Sequence, residues 1–326
     1  MNDRTPRFLI VRLGSLGDVV HAIPAAAALI ARYPEARVDW IVDPRYAELV
    51  STIEGIGAVI PFDPRDGWRR LAATARRLRG GRYDAAVDLQ GLIKSAVLAR
   101  AAGAARTIGL SREHLREPAA RFFYGETHDP GDAVHVIHKG LALMRALGVE
   151  DPTVRFPLRV PAPERRGYVL INPGAAWPNK RWPAERFGAL AEAIRARYDL
   201  TSVVLWGPGE EALAGAVAAA SNGAATVAPA STIVDVVRLA RGADLMISGD
   251  TGPMHLAGAA GTPIVGVFGP TRFERNGPWA PGDISISRFD RCVCHYERRC
   301  RRSEPCINDI SIGEVMAAVE RRFVAR

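Results

Sequence analysis

The chain contains the run Asp250-Thr251-Gly252-Pro253-Met254-His255, preceded by four apolar or small residues at 245–248 and followed by small residues to position 260. A strand-length run, a turn of Asp, Thr and Gly, and a helix with proline in its first turn make a strand-turn-helix unit. In a parallel sheet such a turn opens at the carboxyl end of a strand. Helix N–H groups and the bare Gly252 let a phosphate approach there, with Asp250, Thr251 and His255 alongside. The ordinary alternative is a plain crossover with Asp250 or Thr251 as helix cap, which Asp-Thr-Gly alone would favour. A second stretch tips the balance. Asn172-Pro173-Gly174-Ala175-Ala176-Trp177-Pro178-Asn179-Lys180-Arg181 ends another apolar run and sets two cations ahead of a helix. If both runs belong to one sheet, their ends share a crevice and describe a seat for a diphosphate. A solvated surface pair is the commoner fate of a Lys-Arg dipeptide.

Near the start, Gly14-Ser15-Leu16-Gly17-Asp18 separates the apolar run 8–12 from an alanine-rich helical segment, 19–31. The spacing is Gly-x-x-Gly-Asp, not Gly-x-Gly-x-x-Gly, which argues against a nicotinamide enzyme. Spacing alone makes Asp18 a helix cap or first-turn acid, worth roughly 1 kcal/mol. A carboxylate kept ionised and fixed in this way also suits a proton acceptor, if the leaving group of the substrate sits in the other half of the chain.

Two further clusters carry charge or ligating atoms. Residues 68–78 have the period of an amphipathic helix, with Arg69, Arg70, Arg76 and Arg77 on one side and Trp68, Leu71, Ala75 and Leu78 on the other. A solvated face is the usual meaning, and a stripe that holds an anionic acceptor at a membrane surface is the functional one. All four cysteines, Cys292, Cys294, Cys300 and Cys306, fall within fifteen residues. Their spacing misses the usual zinc pairs, so reduced structural thiols are expected ahead of a structural metal site. The neighbouring Arg298, Arg299, Arg301 and Arg302 are expected to lower the thiol pKa values.

The elements that must position these groups alternate. Strand-like runs at 8–12, 38–42, 59–62, 85–89 and 107–110 are separated by helical stretches, and the alternation restarts at 168–172 after the Pro-rich, charged segment 157–167. This predicts an α/β fold of two Rossmann-like, doubly wound domains facing a cleft. Residues 1–160 form the first domain and 168–310 the second, with a terminal helix at 311–326. The 326 residues suit two cores. No run reaches the ~20 apolar residues of a spanning helix, and no signal peptide opens the chain, so a cytoplasmic protein is expected. The net charge of +8 is shared by both halves and includes only three lysines, Lys94, Lys139 and Lys180. That balance fits phosphates or an anionic membrane surface better than a nucleic-acid module.

Five segments in order, Gly17-Asp18-Val19-Val20-His21, Asp88-Leu89-Gln90-Gly91-Leu92-Ile93-Lys94-Ser95, Arg116 to Tyr124, Lys180-Arg181-Trp182-Pro183 and Asp250 to His255, give the chain a resemblance to the bacterial ADP-heptose:lipopolysaccharide heptosyltransferases. These are inverting glycosyltransferases of the GT-B type, and the first-heptose enzyme is the most similar. The resemblance implies Asp18 as catalytic base and Lys180 as a contact to the departing diphosphate. Gly174, Glu210 or Glu211, Asp250, Thr251, Gly252 and His255 would line the donor site. The acceptor side would fall to Arg69, Arg70, Arg76 and Arg77 with Lys94 and Arg116. The implied partners are ADP-heptose and Kdo-lipid A or core lipopolysaccharide, with peripheral contact at the inner face of the inner membrane and no nucleic acid. A lysine and helix N–H groups neutralise the leaving group, so no cofactor is implied. The Asp88 and Arg116 segments look like the enzyme that adds the first heptose to Kdo, whereas Asn172-Pro173-Gly174 with Lys180-Arg181 looks like the one that adds the second. The rivals are a nucleotide-sugar epimerase of the same fold and a non-enzymatic RNA-binding module.

Overall fold

The computed structural model describes residues 5–63, 65, 67–150 and 152–324, with the side chains of Trp68 and Arg69 outside that description. The chain divides into two compact units, Met1–Arg159 and Val160–Arg326.

The first unit runs β1 (Arg7–Val11), α1 (Leu16–Arg32), β2 (Arg37–Val42), α2 (Ala47–Ser51), β3 (Ile56–Pro61), α3 (Gly67–Gly80), β4 (Ala85–Asp88), α4 (Ile93–Ala101), β5 (Arg106–Leu110), β6 (Glu126–His128) and α5 (Val136–Met144). Its six strands are all parallel, in the order β3-β2-β1-β4-β5-β6. The central strands are covered on both faces, which is why β1 and β2 read as unbroken apolar runs rather than alternating ones. Leu9, Ile10, Val11, Trp40 and Ile41 are fully buried. On α3, Thr74, Ala75 and Leu78 are buried and Arg70, Arg76 and Arg77 are exposed, as the periodicity predicts.

The second unit runs β7 (Tyr168–Asn172), α6 (Ala184–Tyr198), β8 (Thr201–Val204), α7 (Glu211–Ala219), β9 (Ala225–Val227), α8 (Ile233–Gly242), β10 (Leu245–Gly249), α9 (Gly252–Ala259), β11 (Ile264–Phe268), α10 (Phe273–Asn276), β12 (Ile284–Ser287) and α11 (Ile312–Val324). Its sheet is again six-stranded and parallel, in the order β12-β11-β10-β7-β8-β9. Counted from its own first strand this is the same winding as in the first unit. The terminal helix α11 belongs to this core: Val315, Ala318 and Val319 are buried in one cluster with Trp182 and Phe187. The Trp182 indole donates to the Ile310 carbonyl at 3.0 Å.

Each unit therefore has one place where the connections of two adjacent strands leave in opposite directions. It lies between β1 and β4 in the first unit and between β7 and β10 in the second. Ligands of open parallel sheets bind in the crevice outside the carboxyl ends of such strands.

Candidate active site

In the second unit Asn172 and Ser248 are register partners at the ends of β7 and β10. The buried Asn172 amide ties the two ends together, donating to the Gly174 carbonyl at 3.0 Å, Ser248 Oγ at 3.3 Å and Thr251 Oγ1 at 3.1 Å. Thr251 is the N-cap residue of α9. Asp250 is the hub of the turn. Its Oδ2 accepts from Lys180 Nζ at 2.5 Å and Thr271 Oγ1 at 2.9 Å, and its Oδ1 from Asn276 Nδ2 at 2.6 Å. His255, one turn into α9, brings Nε2 to 3.6 Å from Oδ1. Burial would push the Asp250 carboxyl up, but His255 and the Lys180 ammonium together outweigh it and hold the group far below the usual carboxylate range. Lys180 is itself only 14% exposed and stands 4.4 Å over the Trp177 ring. The solvated Lys-Arg pair is thus excluded at Lys180.

Gly174 lies under the Glu210 carboxylate, since a Cβ there would come 2.1 Å from Oε2 and push that carboxylate aside. The Glu210 carboxylate accepts from the Gly207 N–H at 3.2 Å and lies 3.7 Å from the Arg181 guanidinium. Glu211 is exposed in the first turn of α7. Of the two glutamates, the structure brings Glu210 to the crevice. Gly252 opens α9 with Pro253 behind it. The result is a seat of backbone N–H groups with a lysine held at its edge by a buried carboxylate, which can receive the phosphates of a nucleotide. Thr271 and Asn276 had no individual signal in the sequence. They reach Asp250 only because β11 lies beside β10.

In the first unit Val11 and Asp88 are register partners at the ends of β1 and β4. Asp18 is the third residue of α1 and forms a capping box with Ser15. Its Oδ2 accepts from Ser15 N and Oγ, each at 3.0 Å, and its Oδ1 is 2.7 Å from Arg12 Nη2. Its side chain remains 26% exposed. The capping role is therefore real, and the carboxylate still meets solvent. His21, one turn on, is buried with its ring 5.5 Å from that of His135.

Asp88 is fully buried and organises the neighbouring loop. It accepts from Gln90 N at 2.8 Å, Gly91 N at 3.3 Å, Ser95 Oγ at 2.8 Å and Tyr124 OH at 2.6 Å. Burial raises its carboxyl against these donors. Lys94, in the first turn of α4, and Arg116 are exposed. Their segments are stapled by Glu117, whose carboxylate accepts from the Ile93 N–H at 2.7 Å and whose N–H reaches the Gly91 carbonyl at 3.1 Å. Arg70, Arg76 and Arg77 point outward from α3, while the Arg69 side chain lies outside the described residues.

The four cysteines are free thiols in one cluster, with Cys294 Sγ 3.1 Å from Cys300 Sγ. The expectation of lowered thiol pKa values is corrected. Burial and the neighbouring thiols push Cys306 up to about 12 and raise Cys300 as well. The flanking arginines do not reverse this, since Arg301 pairs with Glu297 and Arg302 with Asp309. Among the described residues no group of three or more His, Cys, Asp or Glu is disposed to hold a metal ion. No helix among them is long and apolar enough to cross a membrane.

Two doubly wound units of identical winding, one with a lysine beside a helix N-terminus at its switch point and the other with a fixed, accessible carboxylate, define the class as a two-domain α/β protein with a ligand crevice in each unit. The model of glycosyltransferase family 9 (heptosyltransferase) matches residues 71–305, and the chain belongs to that family. It is 29% identical over 310 residues to lipopolysaccharide heptosyltransferase 1 of Pseudomonas aeruginosa, covering 90% of this chain and 87% of that protein. It is 28% identical over 311 residues to the Escherichia coli (strain K12) protein of the same name, covering 90% and 94%. The structure of E. coli heptosyltransferase WaaC with ADP superposes with a TM-score of 0.82 at 26% identity, over 97% of this chain and 99% of that one. The protein is a glycosyltransferase, and neither the epimerase nor the RNA-binding alternative is favoured.

Proposed function

We propose that the protein transfers an L-glycero-D-manno-heptosyl group from ADP-heptose to the inner core of lipopolysaccharide, on Kdo or on the first heptose, with inversion at the anomeric carbon. Asp18 accepts the proton of the acceptor hydroxyl as that oxygen attacks C1 of the heptose, and the ADP diphosphate leaves toward Lys180 and the first turn of α9. The observation that carries the reading is the Asp250 hub. It holds a lysine beside a helix N-terminus at the switch point of a unit whose fold is shared with a heptosyltransferase that binds ADP. Glu210, seated against Gly174, is assigned to the donor sugar-nucleotide. Lys94, Arg116 and the outward arginines of α3 are assigned to the anionic acceptor, which brings the protein to the inner face of the membrane.

The test is to incubate the protein with ADP-heptose and two defined acceptors, Kdo-lipid A and its mono-heptosylated product. The expected result is a mass gain of one heptose on one of them. Turnover of ADP-heptose without any glycosylated acceptor would refute the proposal.

A further inference from the structure

The segment Asp88-Leu89-Gln90-Gly91 has no role in the chemistry above, yet its geometry leads to Asp18. From the Asp88 hub the loop reaches back to the end of β1. The Leu89 carbonyl accepts from Arg12 Nη1, and Gln90 Oε1 accepts from the Leu13 N–H at 2.8 Å. Arg12 is otherwise fixed by its backbone: its N–H reaches the Ile41 carbonyl at 3.2 Å and its carbonyl accepts from the Trp40 indole at 3.1 Å. Its side chain is 12% exposed, and Nη2 meets Asp18 Oδ1 at 2.7 Å. The two oxygens of Asp18 are thus held from different directions, Oδ2 by the cap residue Ser15 and Oδ1 by Arg12.

We propose that Arg12 is the positioning residue of the catalytic base, using the two ends of its guanidinium to lock the carboxylate of Asp18 to the β4–α4 loop that Asp88 and Tyr124 hold in place. The proposal rests on Asp18 being the base. A planar fork with donors at two separate nitrogens can bridge the Leu89 carbonyl and the carboxylate, whereas a lysine ammonium has a single nitrogen. Ser15 holds Oδ2 from the helix start, and Arg12, itself bonded to the β4–α4 loop, holds Oδ1. A reacting group displaced by about 1 Å costs up to ~10² in rate.

The experiment is a cycle of four proteins, wild type, Arg12→Gln, Asp18→Asn and the double variant, assayed for heptosyl transfer with ADP affinity and melting temperature measured on each. Arg12→Gln should lower kcat by about 10- to 100-fold and leave the acceptor KM within about threefold. In the Asp18→Asn background the same change should cost less than about threefold, because the group it positions is gone. Arg12→Lys should recover only part of the rate. A multiplicative loss in the double variant, or a raised acceptor KM at unchanged kcat, would place Arg12 on the substrate and overturn the proposal. Asp18→Asn within a few-fold of wild type would remove the base assignment itself. A slow Asp18→Asn beside a normal Arg12→Gln would refute only the positioning role. If Arg12→Gln does not fold, Arg12→Lys decides, with reduced kcat at unchanged KM supporting the proposal and wild-type kcat overturning it.

Discussion

Lys180 pairs with the buried Asp250 carboxylate and, in the proposed reaction, also receives the departing diphosphate. Removing it should therefore act on stability and on turnover together. Lys180→Ala is expected to lower kcat by roughly 10²-fold, the usual cost of losing one donor to a developing negative charge, while the acceptor KM changes little. It also takes from Asp250 its cation, which costs about 1–3 kcal/mol and several degrees in Tm. The pH dependence has a definite sign. A carboxyl held below its unfolded value near ~3.9 gives its full stabilisation above that value and loses it progressively as pH falls from there through the depressed folded one. Melting curves from pH 3 to 8 should show the gap between wild type and Lys180→Ala widest near neutrality and narrowing at the acid end, where wild type loses this contribution and the variant has less of it to lose. An unchanged rate with ADP-heptose would remove Lys180 from the donor seat. Lys180 and Asp250 were legible in the sequence because each follows a strand-length run and a Pro- or Gly-bearing turn. Thr271 and Asn276, which complete the hub, were not: each matters only through the neighbouring strand.

Among the elements, α3 was legible to within two residues because four apolar positions at helical spacing and four arginines opposite them specify both its period and its faces. Replacing Arg69, Arg70, Arg76 and Arg77 by Gln should raise the acceptor KM and flatten its dependence on ionic strength, with ADP affinity unchanged. Isothermal titration with ADP and kinetics at two salt concentrations check this. Equal loss of ADP affinity would mean that the helix serves folding instead. The elements without a clear sequence signal are those too short or too polar to stand out. β6 is Glu126–His128, three polar residues at the sheet edge, and is defined by its ladder to β5. β12 has only intermediate burial and follows a Pro- and Gly-rich stretch.

At the scale of the molecule, the repeated βα alternation specified two doubly wound units, and both have the same winding. What alternation does not encode is which loops meet at each switch point. The function of Asp88 as a loop anchor depends on Tyr124, which reaches it from 36 residues away. The cysteines show the converse. Their crowding in the sequence foretold a cluster, but the charge of nearby arginines proved a poor guide to thiol acidity because burial and pairing with acids decide it.

The central claim is that a helix-capping carboxylate in the first unit is also the base of the transfer. Asp18→Asn tests it most directly, since Asn keeps the shape and an oxygen that can accept from Ser15 in the capping box, but cannot take the proton. Under saturating ADP-heptose and acceptor, kcat should fall by ~10²-fold or more, with Tm and ADP affinity close to wild type. A kcat within a few-fold of wild type would contradict the account and leave Asp18 as a helix cap alone.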